Sequence, residues 1–537
     1  MANQEFDYIV VGAGSAGCAI AARLSEDPRV SVCLLEAGGP DKSVLIRAPA
    51  GVAAILPTPM FNWAYKTVPQ PGLDGRRGYQ PRGRVMGGSS SINAMLYVRG
   101  HRSDYDDWAA QGNPGWSYDD VLPLFKRSEH NEDLANDFHG RGGPLNVKHL
   151  THDSELNKAF LDAAALHGLP LNTDYNGAVQ AGACRWQVTH KDGERCSAAK
   201  AFITPNLSRQ NLCVIQRATV AGVTVKDHRA RGVSYHQGGE LKELRARREV
   251  VVASGTFGAP QLLMLSGIGP VAELQRLGIP VVQDLRGVGS NLQDHIDHVQ
   301  TWRTGSGTES FGVSLRGSAK LMGAMLEWKR RRTGMITSTF TETGAFAQSS
   351  PLVERPDLQF IFVLGIVDDH NRKLHLGHGF SCHTTVLRPH SRGEVRLRSA
   401  DARQAPLIDP RFLSDERDLS LLIKGVQKQR AIIESQPFDR YRGKMLHPVD
   451  RDDEQALIAD IRAYADTQYH PVGSCKMGPR DDATTVVDAR LRVHGIEGLR
   501  VADASIMPTL IGGNTNAATI MIGEKAAQMI REDARSA

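Results

Sequence analysis

The amino-acid sequence predicts a mixed α/β and α+β molecule. A parallel-sheet domain stands beside a second domain built on an antiparallel sheet flanked by helices. Three observations predict it. A short β-branched run at residues 6–11 leads directly into a glycine-rich turn and a stretch of helical apolar spacing. A second such run, residues 30–35, follows that helix and ends in an acid, Glu36. Further along, residues 357–363, 380–389 and 393–398 show the apolar runs or alternation of strands, and a helical stretch spans 415–433.

The composition is that of a folded globular chain. Of 537 residues, 41% are hydrophobic and 23% charged, and disorder is expected only around residues 532–537. At this length about three domain-sized units are expected, fewer if some are discontinuous. The 53 glycines suit close backbone approaches to a ligand. Net charge is +5, too small for this size to suggest a nucleic-acid partner. The densest basic run, residues 329–332, follows the apolar stretch 321–328; it reads as a solvated helix end, with attraction to an anionic membrane or an acidic electron acceptor as the alternative. Seven scattered cysteines without a C-x-x-C pair argue for a reducing compartment. No secretory signal and no run of ~18 apolar residues is visible, so a cytoplasmic protein, soluble or peripheral to the inner membrane, is expected.

The first motif is Gly12-Ala13-Gly14-Ser15-Ala16-Gly17, a G-x-G-x-x-G between strand and helix. Gly12 serves the tight turn, Gly14 the close approach of backbone to phosphate, and Gly17 the packing of helix on strand. The helix start then offers free N–H groups and its positive dipole end to a pyrophosphate. Glu36 stands at about the 20-residue offset of an acid that accepts from a ribose hydroxyl, and it would repel a 2′-phosphate. The pattern is Rossmann-like and specifies a dinucleotide without saying which.

Three further segments carry small residues at strand ends: 82–93, 248–255 and 500–505, the last two each followed by a helical run, from Pro260 and over 517–529. Through these segments the chain resembles the glucose–methanol–choline (GMC) oxidoreductase family from about Phe6 to Ile530. Residues 83–93 resemble its first signature and 255–269 its second, which departs at Ala259 where a hydroxyl residue is usual. Residues 287–295 and 501–524 match as well. The resemblance implies FAD. It assigns Gly12, Gly14, Ser15, Ala16, Gly17, Glu36 and Ala37 to the ADP half and Val220 to the adenine. Trp63, Gly87, Gly88, Asn93, Ala94 and Leu96 fall to the flavin, and Asp503, Ala504, Asn514 and Thr515 complete the cradle. Some relatives attach FAD through a histidine just before the asparagine of the first signature; Ile92 stands there, so a noncovalent cofactor is expected. The implied domains are 1–155, 196–300 and 465–537 for FAD, and 156–195 and 301–464 for substrate.

The resemblance also implies the catalytic pair: His470 within residues 469–478 and Asn514 within 512–517, with Asn516 as the lesser alternative. The chemistry accounts for the pairing. An alcohol is about as weak an acid as water (~16) and imidazole sits near ~6.5, a gap of roughly 9 units or ~12 kcal/mol. Proton loss must therefore run close to hydride loss, with a donor on the developing oxyanion. His470 is the expected general base and the Asn514 amide the expected donor, with the hydride going to flavin N5. Residues 295–298 and 370–378 hold further histidines, but neither cluster has the added ligands of a metal site, and no metal is expected. Cys475 reads as a packing residue. The implied activity is oxidation of an alcohol, most simply a primary one, as in the alcohol, polyethylene glycol, sorbose and choline dehydrogenases of bacteria. Electrons would pass to a quinone or another carrier. An oxidase using dioxygen, a flavin-containing cyanohydrin lyase and a non-enzymatic FAD module are the alternatives; oligomeric state stays open.

Overall fold

The structure, a computed structural model, describes residues 4–150, 154–305 and 310–536. Its first sheet is built from the strands the sequence pattern marks. Gln4–Val11 lies between Val32–Glu36 and the long strand Glu240–Val252, all parallel where they meet. Leu212–Gln216 extends the sheet on one side, and Leu499–Val501 runs parallel to the end of Glu240–Val252. Tyr8 to Val11 and Val32 to Leu35 are buried on both faces, which is why these runs are continuously apolar rather than alternating. The start of Glu240–Val252 instead joins Arg229–Gln237 and Thr219–Lys226 in an antiparallel arm.

The helix Ser15–Leu24 leaves the first strand and packs against the C-terminal helix Asn516–Ser536. The two approach closely at Gly523, where a Cβ would come within 2.6 Å of the Ala16 carbonyl oxygen. Arg23 Nη2 pairs with the buried Glu524 at 2.8 Å across this seam. Contrary to the expected disorder at 532–537, the last helix runs to Ser536. Buried Arg500 holds Asp533 at 2.6 Å, and Arg490 reaches Glu532 at 3.1 Å; Ala537 lies outside the described residues.

The second sheet is antiparallel, in the order Asp466–Thr467, Ile296–Thr304, Gly377–Val386, Leu358–Val363, Thr341–Ala347, Gly182–Arg185. The helices Glu155–Leu166 and Glu416–Ile433 cover one face, over a core that includes Phe160, Phe362, Phe380 and Phe438. One expected strand lies elsewhere: Glu394–Arg396 pairs only with Leu407–Asp409, because Gly393 and Leu292 exchange backbone hydrogen bonds and draw the chain away from the sheet. The helix expected from Pro260 begins earlier, at Gly255, with Pro260 inside it.

Candidate active site

One cavity of about 390 Å³ runs between the two sheets, from the first glycine loop to His470. At its nucleotide end Gly12 takes a φ of +103°, and a Cβ there would come within 2.5 Å of the Ala253 carbonyl oxygen. At Gly14 a Cβ would meet only that same oxygen, at 3.9 Å, so this side of the loop is open to a ligand. No side chain caps the helix that starts at Ser15, which leaves its first N–H groups for an anion. Glu36 accepts from Ala13 N (3.0 Å) and Gly38 N (2.7 Å), one bond to each oxygen, so further lone pairs remain for ribose hydroxyls. Burial pushes its carboxyl up to about 7. Asp503, also raised by burial, accepts from Gly255 N and Ser505 N.

Of the residues expected at the cofactor, Gly12, Gly14, Ser15, Ala16, Glu36, Ala37, Trp63, Gly88, Asn93, Ala94, Leu96, Val220, Asp503, Ala504, Asn514 and Thr515 all line this cavity. Gly17 and Gly87 do not. Gly17 lets helix meet strand, since a Cβ would lie 1.9 Å from the Gly12 oxygen. Gly87 (φ +87°) donates to the Ala13 carbonyl and ties the first signature to the glycine loop. Ile92 lines the cavity beside Asn93. An uncapped helix start, two buried acids and glycines where side chains would collide make a cradle that fits a dinucleotide with a planar ring.

At the other end, Asn514 Nδ2 stands 3.1 Å from His470 Nε2. The surrounding bonds fix the proton positions. His295 Nε2 lies 3.1 Å from the Leu387 carbonyl, which can only accept, so this nitrogen carries the hydrogen. Burial pushes the His295 imidazole down to about 3, so it is neutral and its Nδ1 accepts. His470 Nδ1, 3.0 Å from His295 Nδ1, must then be the donor. His470 Nε2 is left with a lone pair facing the cavity. The Asn514 amide donates to it, while Gln359 Nε2 donates to Asn514 Oδ1 at 3.1 Å and fixes the amide's orientation. Burial first, with the Arg82 charge adding to it, holds His470 well below the usual histidine value.

Backbone geometry aims both groups. The His470 N–H donates to Asp294 at 2.9 Å, and burial raises this carboxyl to about 6. Tyr469 sits in the left-handed region at φ 72°, held by Arg82 on its carbonyl (2.8 Å) and by His370 on its hydroxyl (2.7 Å). Such a strained bulky residue persists only where its surroundings over-determine it. Asn514 lies in a loop clamped by Asp104 on Gly512 N and by Gln180 on Gly512 O, each at 2.7 Å. Asn516, the alternative partner, turns instead to Ser15 Oγ at 2.7 Å. Cys475 is buried, its thiol pushed well up by burial.

Several residues of the site were not anticipated: His295 and Gln359, which stand behind the wall and bond His470 and Asn514, and the lining residues Tyr65, Gln468, Phe340, Val52, Leu56, Ile361, Val363 and Val367. Alternation along Leu358–Val363 puts Ile361 and Val363 on the face that Gln359 presents to Asn514. The histidines weighed as metal ligands have other partners: His298 bonds Asp460, and His370 bonds Tyr469 and Asp466.

The pattern of these residues matches the two halves of one family, described as GMC oxidoreductase, over residues 6–297 and 389–523. The chain belongs to the GMC oxidoreductase family. It is similar to an alcohol dehydrogenase [acceptor] of Pseudomonas putida, 44% identical over 532 residues, with 98% of this chain and 95% of that one covered. It is also similar to human mitochondrial choline dehydrogenase, 43% identical over 541 residues and covering 98% and 90%. Among solved structures, pyridoxine 4-oxidase from Mesorbium loti matches at a TM-score of 0.89 and 30% identity, over 98% of this chain and 99% of that one. A formate oxidase variant of Aspergillus oryzae matches at 0.93 and 27%, over 99% of both. The chain is thus an FAD-dependent GMC oxidoreductase. Among the described residues no helix is long and apolar enough to cross a membrane.

Proposed function

We propose that this GMC oxidoreductase oxidises an uncharged primary alcohol to the aldehyde and passes the electrons to a quinone or another carrier. The observation that carries the reading is the fixed tautomer of His470: a neutral imidazole whose free Nε2 faces Asn514 inside the cavity. An alcohol oxygen entering between the two exchanges one hydrogen bond for two. Its hydroxyl hydrogen points at His470 Nε2, and the Asn514 amide donates to the oxygen. His470 takes the proton, and Asn514 together with the new imidazolium stabilises the negative charge as it develops. FAD, when bound, would be held by Gly12, Gly14, Ser15, Ala16, Glu36, Val220 and Asp503 and would supply the two-electron acceptor for the carbon-bound hydrogen.

The lining supports an uncharged substrate. The two carboxylates on the cavity wall, Glu36 and Asp503, both belong to the nucleotide half, whereas the sheet face beside Asn514 presents Ile361 and Val363. Asp297 stands behind His383, bonded to it at 2.6 Å and to Thr385, rather than on the wall. Ile92 at the linkage position supports a noncovalent flavin. The test is anaerobic mixing with a panel of alcohols and choline, followed by air. Bleaching by aliphatic primary alcohols and slow reoxidation without peroxide are expected. Bleaching by choline alone, or fast reoxidation with peroxide, would replace this reading with a choline-specific enzyme or an oxidase.

A further inference from the structure

The helix Leu315–Arg331 lies outside the catalytic machinery and is built the wrong way round for a surface helix. Surface helices of soluble proteins turn their apolar stripe inward. Here the inward side is Ala324 and Trp328, with Trp328 Nε1 donating to the Gly193 carbonyl at 2.7 Å. On the opposite side, at i, i+7 and i+11, stand Leu315, Met322 and Leu326, which are 94%, 68% and 56% exposed. Met325 flanks them, also 56% exposed. The apolar surface continues onto the neighbouring loop, where Leu376 bridges Val313 and is 74% exposed. The helix then ends in exposed Lys329, Arg330 and Arg331, and Glu327 is the one acid between residues 315 and 332.

We infer that this helix docks the enzyme onto an anionic lipid bilayer, lying in the interface without spanning it. An outward apolar stripe ending in clustered Lys and Arg is the pattern of an interfacial helix: the stripe enters the acyl boundary and the cations meet phosphate headgroups. A second copy of the chain would cover the apolar stripe but would bring the same excess of positive charge. Negatively charged headgroups complement both features. The helix rests on Ala48 and Ile336, and the segments next to these, at Val52 to Leu56 and Thr339 to Thr341, line the cavity. Docking therefore sets the cavity's wall beside the bilayer. The docking itself does not depend on which alcohol is oxidised.

The test uses the FAD-loaded enzyme and vesicles of phosphatidylglycerol mixed with phosphatidylcholine, against vesicles of phosphatidylcholine alone. The parent should co-sediment with the anionic vesicles and be released by high salt, since each basic residue contributes about fivefold in partitioning. The double substitution Met322→Glu with Leu326→Glu should lower that binding at least ~10-fold, with flavin content and turnover on a water-soluble alcohol and dye acceptor unchanged. If that variant loses flavin, Lys329→Glu with Arg330→Glu gives the same readout from the charged end. A parent that stays in the supernatant, or variants that bind as the parent does, would overturn the inference. A parent of twice the monomer mass that Met322→Glu halves, with no vesicle binding, would assign the face to a second copy instead.

Discussion

A single nitrogen lone pair, on His470 Nε2, is what the chain of side-chain bonds from Leu387 to Gln359 secures. His295 is the positioning residue of that chain, and its role yields a prediction with a definite sign. In the proposed mechanism neutral His470 is the active form, and burial above all holds it below the 6.5 of an ordinary histidine. Activity is therefore fully present above pH 6.5 and lost only as pH falls through the lowered value. Replacing His295 with Leu removes the acceptor on His470 Nδ1 and with it the bond that fixes the tautomer. The plateau of kcat/KM above that limb should fall roughly 3–10-fold, the range for one hydrogen bond. His295→Gln, which keeps an acceptor, should restore most of the loss. An unchanged plateau in His295→Leu, or a loss that His295→Gln does not restore, would leave His295 a mere packing residue. The resemblance of the motifs around them brought His470 and Asn514 forward as candidates. It did not show His295, because the contact spans 175 residues and a histidine beside other histidines was weighed only as a metal ligand.

At the scale of elements, the strand–glycine–helix unit was the most legible part of the chain. Its apolar runs are continuous, Gly12 and Gly17 are required by contact, and its acid lies at the end of the next strand. Gly17 gives the sharpest test. A Cβ there would lie 1.9 Å from a backbone oxygen, which no side-chain rotation relieves, so strand and helix must separate. Gly17→Ala should lower stability by about 1–3 kcal/mol, as overpacking does, and reduce retained flavin. Thermal melts and the flavin-to-protein absorbance ratio measure both, and an unchanged Tm with full flavin would contradict the packing argument. The antiparallel sheet was less legible. Thr341–Ala347 is rich in Thr, Gly and Ala, and its place between two strands comes from partners distant in sequence. The outward stripe of Leu315–Arg331 was also hidden, since apolar spacing alone does not say which side of a helix faces water.

For the molecule as a whole, two sheets contributed by interleaved stretches of chain enclose one cavity. His470 follows the edge strand of the antiparallel sheet, and Asn514 precedes the helix that packs on the glycine loop. Fold class and cofactor were readable because several motifs recur in the right order. The substrate wall was not, because its residues come from loops and strand faces whose neighbours are set only on folding. With Ile92 at the linkage position, acid precipitation should release the flavin into the supernatant, whereas yellow colour in the pellet would show a covalent bond. The central claim, that His470 is the base acting beside Asn514, is tested most directly by the rate of anaerobic flavin bleaching in His470→Ala. The variant should stay yellow and bleach at least ~10²-fold more slowly with an alcohol that reduces the parent. Bleaching at the parent's rate, with full flavin bound, would contradict it.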